Sequence, residues 1–143
     1  LGLIYIAFKI NILKYNNYVW DEVLRRLLQK LDKKNYITIQ IDKKNIRIDQ
    51  ATILYVRSSR NYVEIHTEKK MYLSRSTLTN IQKEFSEINF IRVHRSYFVR
   101  KDAIDSISQE ELIIQDHKIP VGKLYQKSVK TLKNQFSKFK MTL

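Results

Sequence analysis

Apolar residues along this chain change their spacing near residue 35, and the change divides it into two parts. Before it, Leu3, Ile4, Tyr5, Ile6, Ala7 and Phe8 form a short apolar run that predicts a buried strand. Asn11, Asn16 and Asn17 punctuate a loop. Trp20, Val23, Leu24, Leu27, Leu28 and Leu31 then recur at helical spacing, with Arg25, Arg26, Gln29 and Lys30 on the other face. The polar run Asp32-Lys33-Lys34-Asn35 ends the pattern and marks a linker. Residues 1–34 thus read as an N-terminal strand-helix segment, and residues 35–143 as a separate domain.

In that domain the period becomes alternating. Tyr36, Ile37, Ile39 and Ile41 predict one strand, and Ile46 and Ile48 a short second one after a turn over Asp42 to Asn45. Ile53 to Val56 predict a third. Tyr62, Val63 and Ile65 continue after the polar loop Arg57-Ser58-Ser59-Arg60-Asn61, and Met71, Tyr72 and Leu73 return from a tip at Lys69 and Lys70. Phe90 to Val93, Tyr97 to Val99, Ile104 to Ile107, Leu112 to Ile114 and Ile119 to Val121 follow. Many short strands at this spacing predict a mainly β body. Two helices interrupt it. Leu78, Ile81 and Phe85 mark the first, with Ser76 as its expected cap. Leu124, Leu132, Phe136 and Phe139 mark the second, after Pro120, with Lys127, Lys130, Lys133 and Lys138 on its outer face.

Charge narrows the partner class. The 143 residues hold 27 Lys and Arg against 14 Asp and Glu, a net charge of +13. Residues 1–34 carry 7 basic and 3 acidic groups, and residues 35–143 carry 20 and 11, so the excess is not confined to a tail. A folded cationic domain points to a polyanion, either nucleic acid or an acidic membrane surface. The longest apolar run, Leu1 to Phe8, is far short of the roughly 20 residues of a span and lacks the basic region of a signal peptide. The chain opens on Leu1, the mark of a fragment boundary. The absence of cysteine fits a reducing cytoplasm and excludes thiol catalysis and disulfides.

Enzymatic readings find no support. Gly2 and Gly122 are the only glycines, too few for a phosphate-cradling loop. His66, His94 and His117 lie in different strands without ligand spacing, so neither a metal nor another cofactor is expected. The informative stretch is Phe90-Ile91-Arg92-Val93-His94-Arg95-Ser96-Tyr97-Phe98-Val99, in which apolar residues frame two arginines, a histidine and a serine. Arg and Ser donate to phosphate oxygens, and Arg also pairs with guanine edges. The same residues also suit a hydrated β-turn, and the residues alone leave both readings open.

That stretch closely resembles the signature of the LytTR DNA-binding domain family of bacterial response regulators. Ile53-Leu54-Tyr55-Val56 and Asn61 through Thr67 are similar to two of its strands, and Leu73-Ser74-Arg75-Ser76-Thr77-Leu78 to its passage into a helix. Ala103 through Ile107 and Ile119-Pro120-Val121-Gly122-Lys123-Leu124-Tyr125 match the strand and the approach to the last helix that follow. These five elements stand in the family's order over about 100 residues. The resemblance implies an elongated arrangement of small antiparallel sheets with two short helices. It also implies sequence-specific binding of double-stranded DNA at promoter direct repeats, with homodimers forming on DNA. In the family, loops make the contacts. Two of them enter successive major grooves and a middle segment meets the intervening backbone.

Carried over by position, the first loop supplies Ser59, Arg60, Asn61 and Tyr62, with Arg60 and Asn61 as base readers. The middle segment supplies Arg92, His94, Arg95 and Ser96, and Arg75 joins the contact set. Gly122 and Lys123 form the third site, where a helix start attracts anions and Gly lets the backbone approach closely. Arg57 stands where an acidic residue is common and is expected to add charge near the first loop. Arg100 replaces a frequent Asn and is expected at the surface. Tyr55, Tyr72, Phe85 and Phe90 are expected in the core.

The N-terminal segment allows three readings. Gly2 and Lys9 are spaced as at the end of a response-regulator receiver domain, which would connect the chain to a sensor kinase. Tyr5, Ile6 and Ile10 depart from that pattern. The alternatives are an unrelated linker helix and the stub of a membrane segment, which would make this a membrane-tethered regulator. An RNA- or protein-binding β-domain is a further class for the body.

Overall fold

The computed structural model describes residues 2–6, 21–27 and 36–141, with side chains as far as residue 138. Residues 2–6 (α1) and 21–27 (α2) are helical. This corrects the strand expected from Leu3 onward. A wholly apolar run has no period to separate strand from helix, and a helix satisfies its own backbone groups where a strand needs a neighbour. Val23, Leu24 and Leu27 are helical as their spacing predicts. Ala7, Phe8, Lys9, Ile10, Trp20, Leu28, Leu31 and the linker at 32–35 lie outside the described residues.

The body is built of three antiparallel sheets. β1 (Tyr36–Ile41) and β2 (Lys44–Asp49) form a hairpin whose turn residues, Asp42 and Lys43, have φ of 49° and 64°. Positive φ at both positions gives the turn the right-handed twist that a two-residue hairpin needs. The central sheet holds β3 (Ile53–Ser59), β4 (Tyr62–Thr67), β5 (Met71–Ser74), β6 (Phe90–His94) and β7 (Tyr97–Arg100), in the order β5-β4-β3-β7-β6. The third sheet holds β8 (Ser106–Ile107), β9 (Glu111–Ile114) and β10 (His117–Pro120). α3 (Leu78–Gln82) lies between β5 and β6, and α4 (Gln126–Met141) follows a 3-10 turn at Lys123–Tyr125.

Clusters pack on both faces of the central sheet, so the first half of β3 is apolar throughout, whereas β4 alternates buried Val63 and Ile65 with the partly covered Glu64 and His66. Ile53, Val56, Val63, Ile65 and Phe98 pack with Ile37, Ile39 and Ile48 of the hairpin and with Leu78, Ile81 and Phe85. Leu54, Tyr55, Val93 and Val99 pack with Leu112, Ile114 and Ile119 of the third sheet and Val129 of α4. Leu54 and Tyr55 face the same side although they are consecutive. A register shift between Ile53 and Tyr55 produces this, as a β-bulge does. Tyr55, Phe85 and Phe90 are buried and Tyr72 is partly buried, as expected.

Three local expectations change. The cap of α3 is Thr77, whose side chain accepts from the Asn80 N–H; the Ser76 hydroxyl instead donates to the Thr77 carbonyl. α3 ends at Gln82, so Phe85 reaches the core from the turn after it. Leu124 precedes α4 and is 92% exposed, whereas Val129, Leu132 and Phe136 carry that helix's covered face.

Candidate nucleic-acid interface

Antiparallel pairing brings the end of β3, the start of β4 and the ends of β5 and β6 to one end of the central sheet. The start of β7 joins them. Ser59, Arg60, Asn61 and Tyr62 form the β3–β4 tip there, Arg75 follows β5, and His94, Arg95 and Ser96 make the β6–β7 turn. Gly122 and Lys123 arrive from the third sheet and are fixed when the Gly122 N–H donates to the Val93 carbonyl at 2.8 Å. The Ser58 N–H donates to the Ser96 carbonyl at 2.9 Å, which ties the hairpin tip to the turn. Segments as far apart in sequence as Ser59 and Lys123 thus share one end of the sheet because strand pairing and the Gly122–Val93 bond put them there.

The tip at Arg60 and Asn61 is a two-residue turn, tighter than the five-residue loop expected from composition. Arg60 has φ 55°, in the left-handed region, at a cost on the order of 1 kcal/mol for a side-chain-bearing residue. Both side chains are exposed, and Tyr62 beside them is 43% exposed.

The middle segment divides its labour. Arg92 lies half-buried against α3. Its guanidinium donates to the Thr79 hydroxyl and the Gln82 amide oxygen, each at 3.3 Å, to the Arg95 carbonyl at 2.6 Å and, more weakly, to the His94 carbonyl at 3.4 Å. Arg92 therefore braces the turn against α3 and has little donor capacity left for a ligand. His94 is half-buried. Its Nδ1 accepts from the Ser96 N–H at 3.1 Å, which leaves Nε2 as the donor nitrogen of a neutral ring. Arg95, at the turn's apex, is exposed.

Gly122 is tightly packed. Its φ of −70° is open to any residue, but a Cβ there would lie 3.1 Å from Tyr125 Cδ2 and 3.4 Å from His94 Cδ2. The close approach that Gly122 permits within the chain is to His94 and Tyr125. Its N–H is already engaged, so Lys123 carries the free donor of this segment.

Two arginines outside the contact set correct their expectations. Arg57 on β3 lies directly opposite Glu64 on β4 and makes a two-pronged pair, with Nε to Oε2 and Nη2 to Oε1 both at 2.9 Å. The Arg57 guanidinium holds the Glu64 carboxyl below the usual carboxylate range, helped by His66 at 3.0 Å. Hydrogen bonding to Glu64 raises the Arg57 pKa in return. Arg57 therefore adds no free charge to the first loop. Arg100 is only 18% exposed and lies 3.7 Å from Glu68, so it is not a surface change. Sequence reading missed Glu64, Thr79 and Gln82 as partners. For Glu64 a signal exists: 57 and 64 are symmetric about the 60–61 turn, which makes them cross-strand neighbours.

Among the described residues, Arg60, Arg75, Arg95 and Lys123 have no carboxylate within salt-bridge distance, unlike Arg57 and Arg100. Four exposed cations without a carboxylate partner thus stand at one end, beside the exposed Asn61 and the half-buried His94, and make it the candidate surface for phosphates and base edges. A family model of the LytTr DNA-binding domain matches residues 43–134. The chain belongs to the LytTR DNA-binding domain family. A solved LytTr DNA-binding domain from Bacillus cereus superposes with a TM-score of 0.60 at 19% identity, covering 69% of this chain and 96% of that one, and so shares the fold. The LytTR chain is 28% identical over 148 residues to the sensory transduction protein LytT of Bacillus subtilis (strain 168), covering 88% of this chain and 61% of that protein. It is 25% identical over 100 residues to the transcriptional regulatory protein LytR of Staphylococcus aureus (strain N315), covering 66% of this chain and 41% of that protein. The chain thus spans about 60% of LytT's length. No helix among the described residues is long and apolar enough to cross a membrane, and no cluster of metal-ligating residues is found among them.

Proposed function

We propose that this chain is a cytoplasmic transcriptional regulator that binds promoter DNA through the end of the central sheet where β3, β5 and β6 terminate. In this reading Arg60 and Asn61 read base edges in one major groove and Lys123 enters the next. Arg95, Arg75 and the His94 Nε2 proton meet the backbone between them. Ser59, Tyr62 and Ser96 line the contact. Arg92 and Gly122 act from behind, holding the turn and the Lys123 segment in place. The observation that carries the reading is the convergence of four unpaired cations from four separate chain segments at one end. Residues 35–143 form the DNA-binding domain, and two copies occupy direct repeats about one helical turn apart. No catalytic residue is assigned.

Residues 1–34 are read as the end of a receiver domain, which links the regulator to a sensor kinase. The 88% coverage against LytT extends beyond the 43–134 match, so the similarity includes residues upstream of the domain. The helical, exposed Leu3, Ile4, Tyr5 and Ile6 favour a second version, in which this segment continues a membrane helix. The full-length gene decides between a receiver and apolar spans upstream. DNA binding is tested by selecting duplexes from a random library and titrating the winner against a scrambled duplex and a structured RNA. Preferential binding of the selected duplex, falling steeply with salt, is expected. Equal binding of all three would refute the proposal.

A further inference from the structure

We infer that Leu124 is a specificity-determining residue that reads the 5-methyl group of a thymine. The inference rests on the proposed groove contact of the Lys123 segment and adds an apolar reader to it. Leu124 is 92% exposed, the most exposed large hydrophobic side chain among the described residues. Ile88 and Met71, next in exposure within the domain, lie at the opposite end of the central sheet. Leu124 stands beside Lys123 at the cationic end, where Tyr62, 43% exposed, is less than half as open.

Its backbone is fixed. The turn Lys123–Tyr125 packs on β6, the Gly122 N–H is held by the Val93 carbonyl, and the Tyr125 N–H donates to the Gly122 carbonyl at 2.9 Å. Tyr125 is half-buried against this anchor, so the turn's inward position is taken and Leu124 is left projecting outward. An apolar side chain gains nothing from phosphates or from the hydrogen-bonding edges that Arg, Lys and Asn recognise. The major groove offers it one partner, the thymine methyl, for which apolar contact is the recognised mode of readout. A rigidly presented Leu next to a Lys matches a thymine adjoining the base or phosphate that Lys123 takes.

The test is uracil scanning of the duplex selected from the random library. Each thymine is replaced in turn by deoxyuridine, which removes the methyl and leaves the hydrogen-bonding edge intact. Parent protein is expected to lose about fourfold in affinity at one position, the effect of about one methyl group returned to water. Leu124→Ala should bind the thymine duplex as weakly as the parent binds that uracil duplex, and should be indifferent to the substitution. At 92% exposure the change leaves the fold unaffected, which thermal melting verifies. A flat uracil scan by a parent that still prefers the selected duplex would overturn this inference alone, as would identical scans for parent and Leu124→Ala. A parent that does not distinguish selected from scrambled duplex overturns the groove reading and this inference with it.

Discussion

The two ends of the central sheet treat their arginines in opposite ways. At the end where β3, β5 and β6 terminate, Arg60, Arg75 and Arg95 are exposed and lack carboxylates. At the other end Arg100 is largely covered, faces Glu68 and lines one cleft with Asp49 and Asp102. Arg57, midway along β3, is clamped by Glu64. Net charge is therefore a poor guide to where a polyanion binds. A paired arginine contributes to the sum of +13 but presents a neutral ion pair to a ligand. What distinguishes the ends is how the fold treats their arginines: Lys69 and Lys70 at the second end are also exposed without a carboxylate, but Arg100 there faces Glu68.

The largest expected difference is in DNA binding. Arg95→Ala should weaken every duplex about tenfold or more, as loss of a charged hydrogen bond does, and should lower the salt slope by about 1. Arg100→Ala should leave both quantities unchanged. Mobility-shift titrations at several salt concentrations compare the two, and equal effects would break the contrast.

Arg92 sharpens it, because it sits at the cationic end yet faces inward. Arg92→Ala should cost about 1–3 kcal/mol of stability through unsatisfied partners and weaken binding without changing the salt slope. Arg92→Lys should not restore binding, since an ammonium cannot reproduce a planar fork. Denaturant melts paired with salt titrations separate this outcome from a phosphate contact.

Gly122→Ala should destabilise by about 1 kcal/mol, because its Cβ crowds Tyr125 and His94. The change leaves Lys123 in place, so denaturant melts should show the loss of stability while the salt slope stays at the parent's value.

The smallest effect concerns acid dependence. The Glu64 pKa is depressed in the folded state, so its stabilising contribution is present above the ordinary carboxylate range. That contribution is lost as pH falls through the depressed value. Arg57→Met removes the main cause of the depression. The variant should melt earlier at pH 7 and lose less stability than the parent between neutral and acidic pH. A parallel fall of both melting curves would show that the pair does not set this dependence.

Much of the body was legible in the residues. Alternation at Ile37 and Ile39 and the apolar runs at Ile53–Val56 and Phe90–Val93 marked strands that the structure contains. The bulge that turns Leu54 and Tyr55 to one side was not legible, because it depends on how β3 meets its neighbours. The helical state of residues 2–6 was hidden because an unbroken apolar run has no period. For the candidate site, the segments were legible through their resemblance to a family, whereas the side chains' duties were not. Arg92 and Arg95 look alike in sequence, and only the packing of α3, through Thr79 and Gln82, turns one inward and leaves the other exposed.

The central claim is that the cationic end of the sheet is the surface that meets DNA. Amide chemical-shift mapping of the protein titrated with its selected duplex tests it directly. The largest changes are expected at Arg60–Tyr62, Arg95–Ser96 and Lys123–Leu124, with Thr67–Met71 and Lys101–Asp102 at the opposite end unmoved. Changes concentrated at that opposite end, or along the lysine face of α4, would contradict the account.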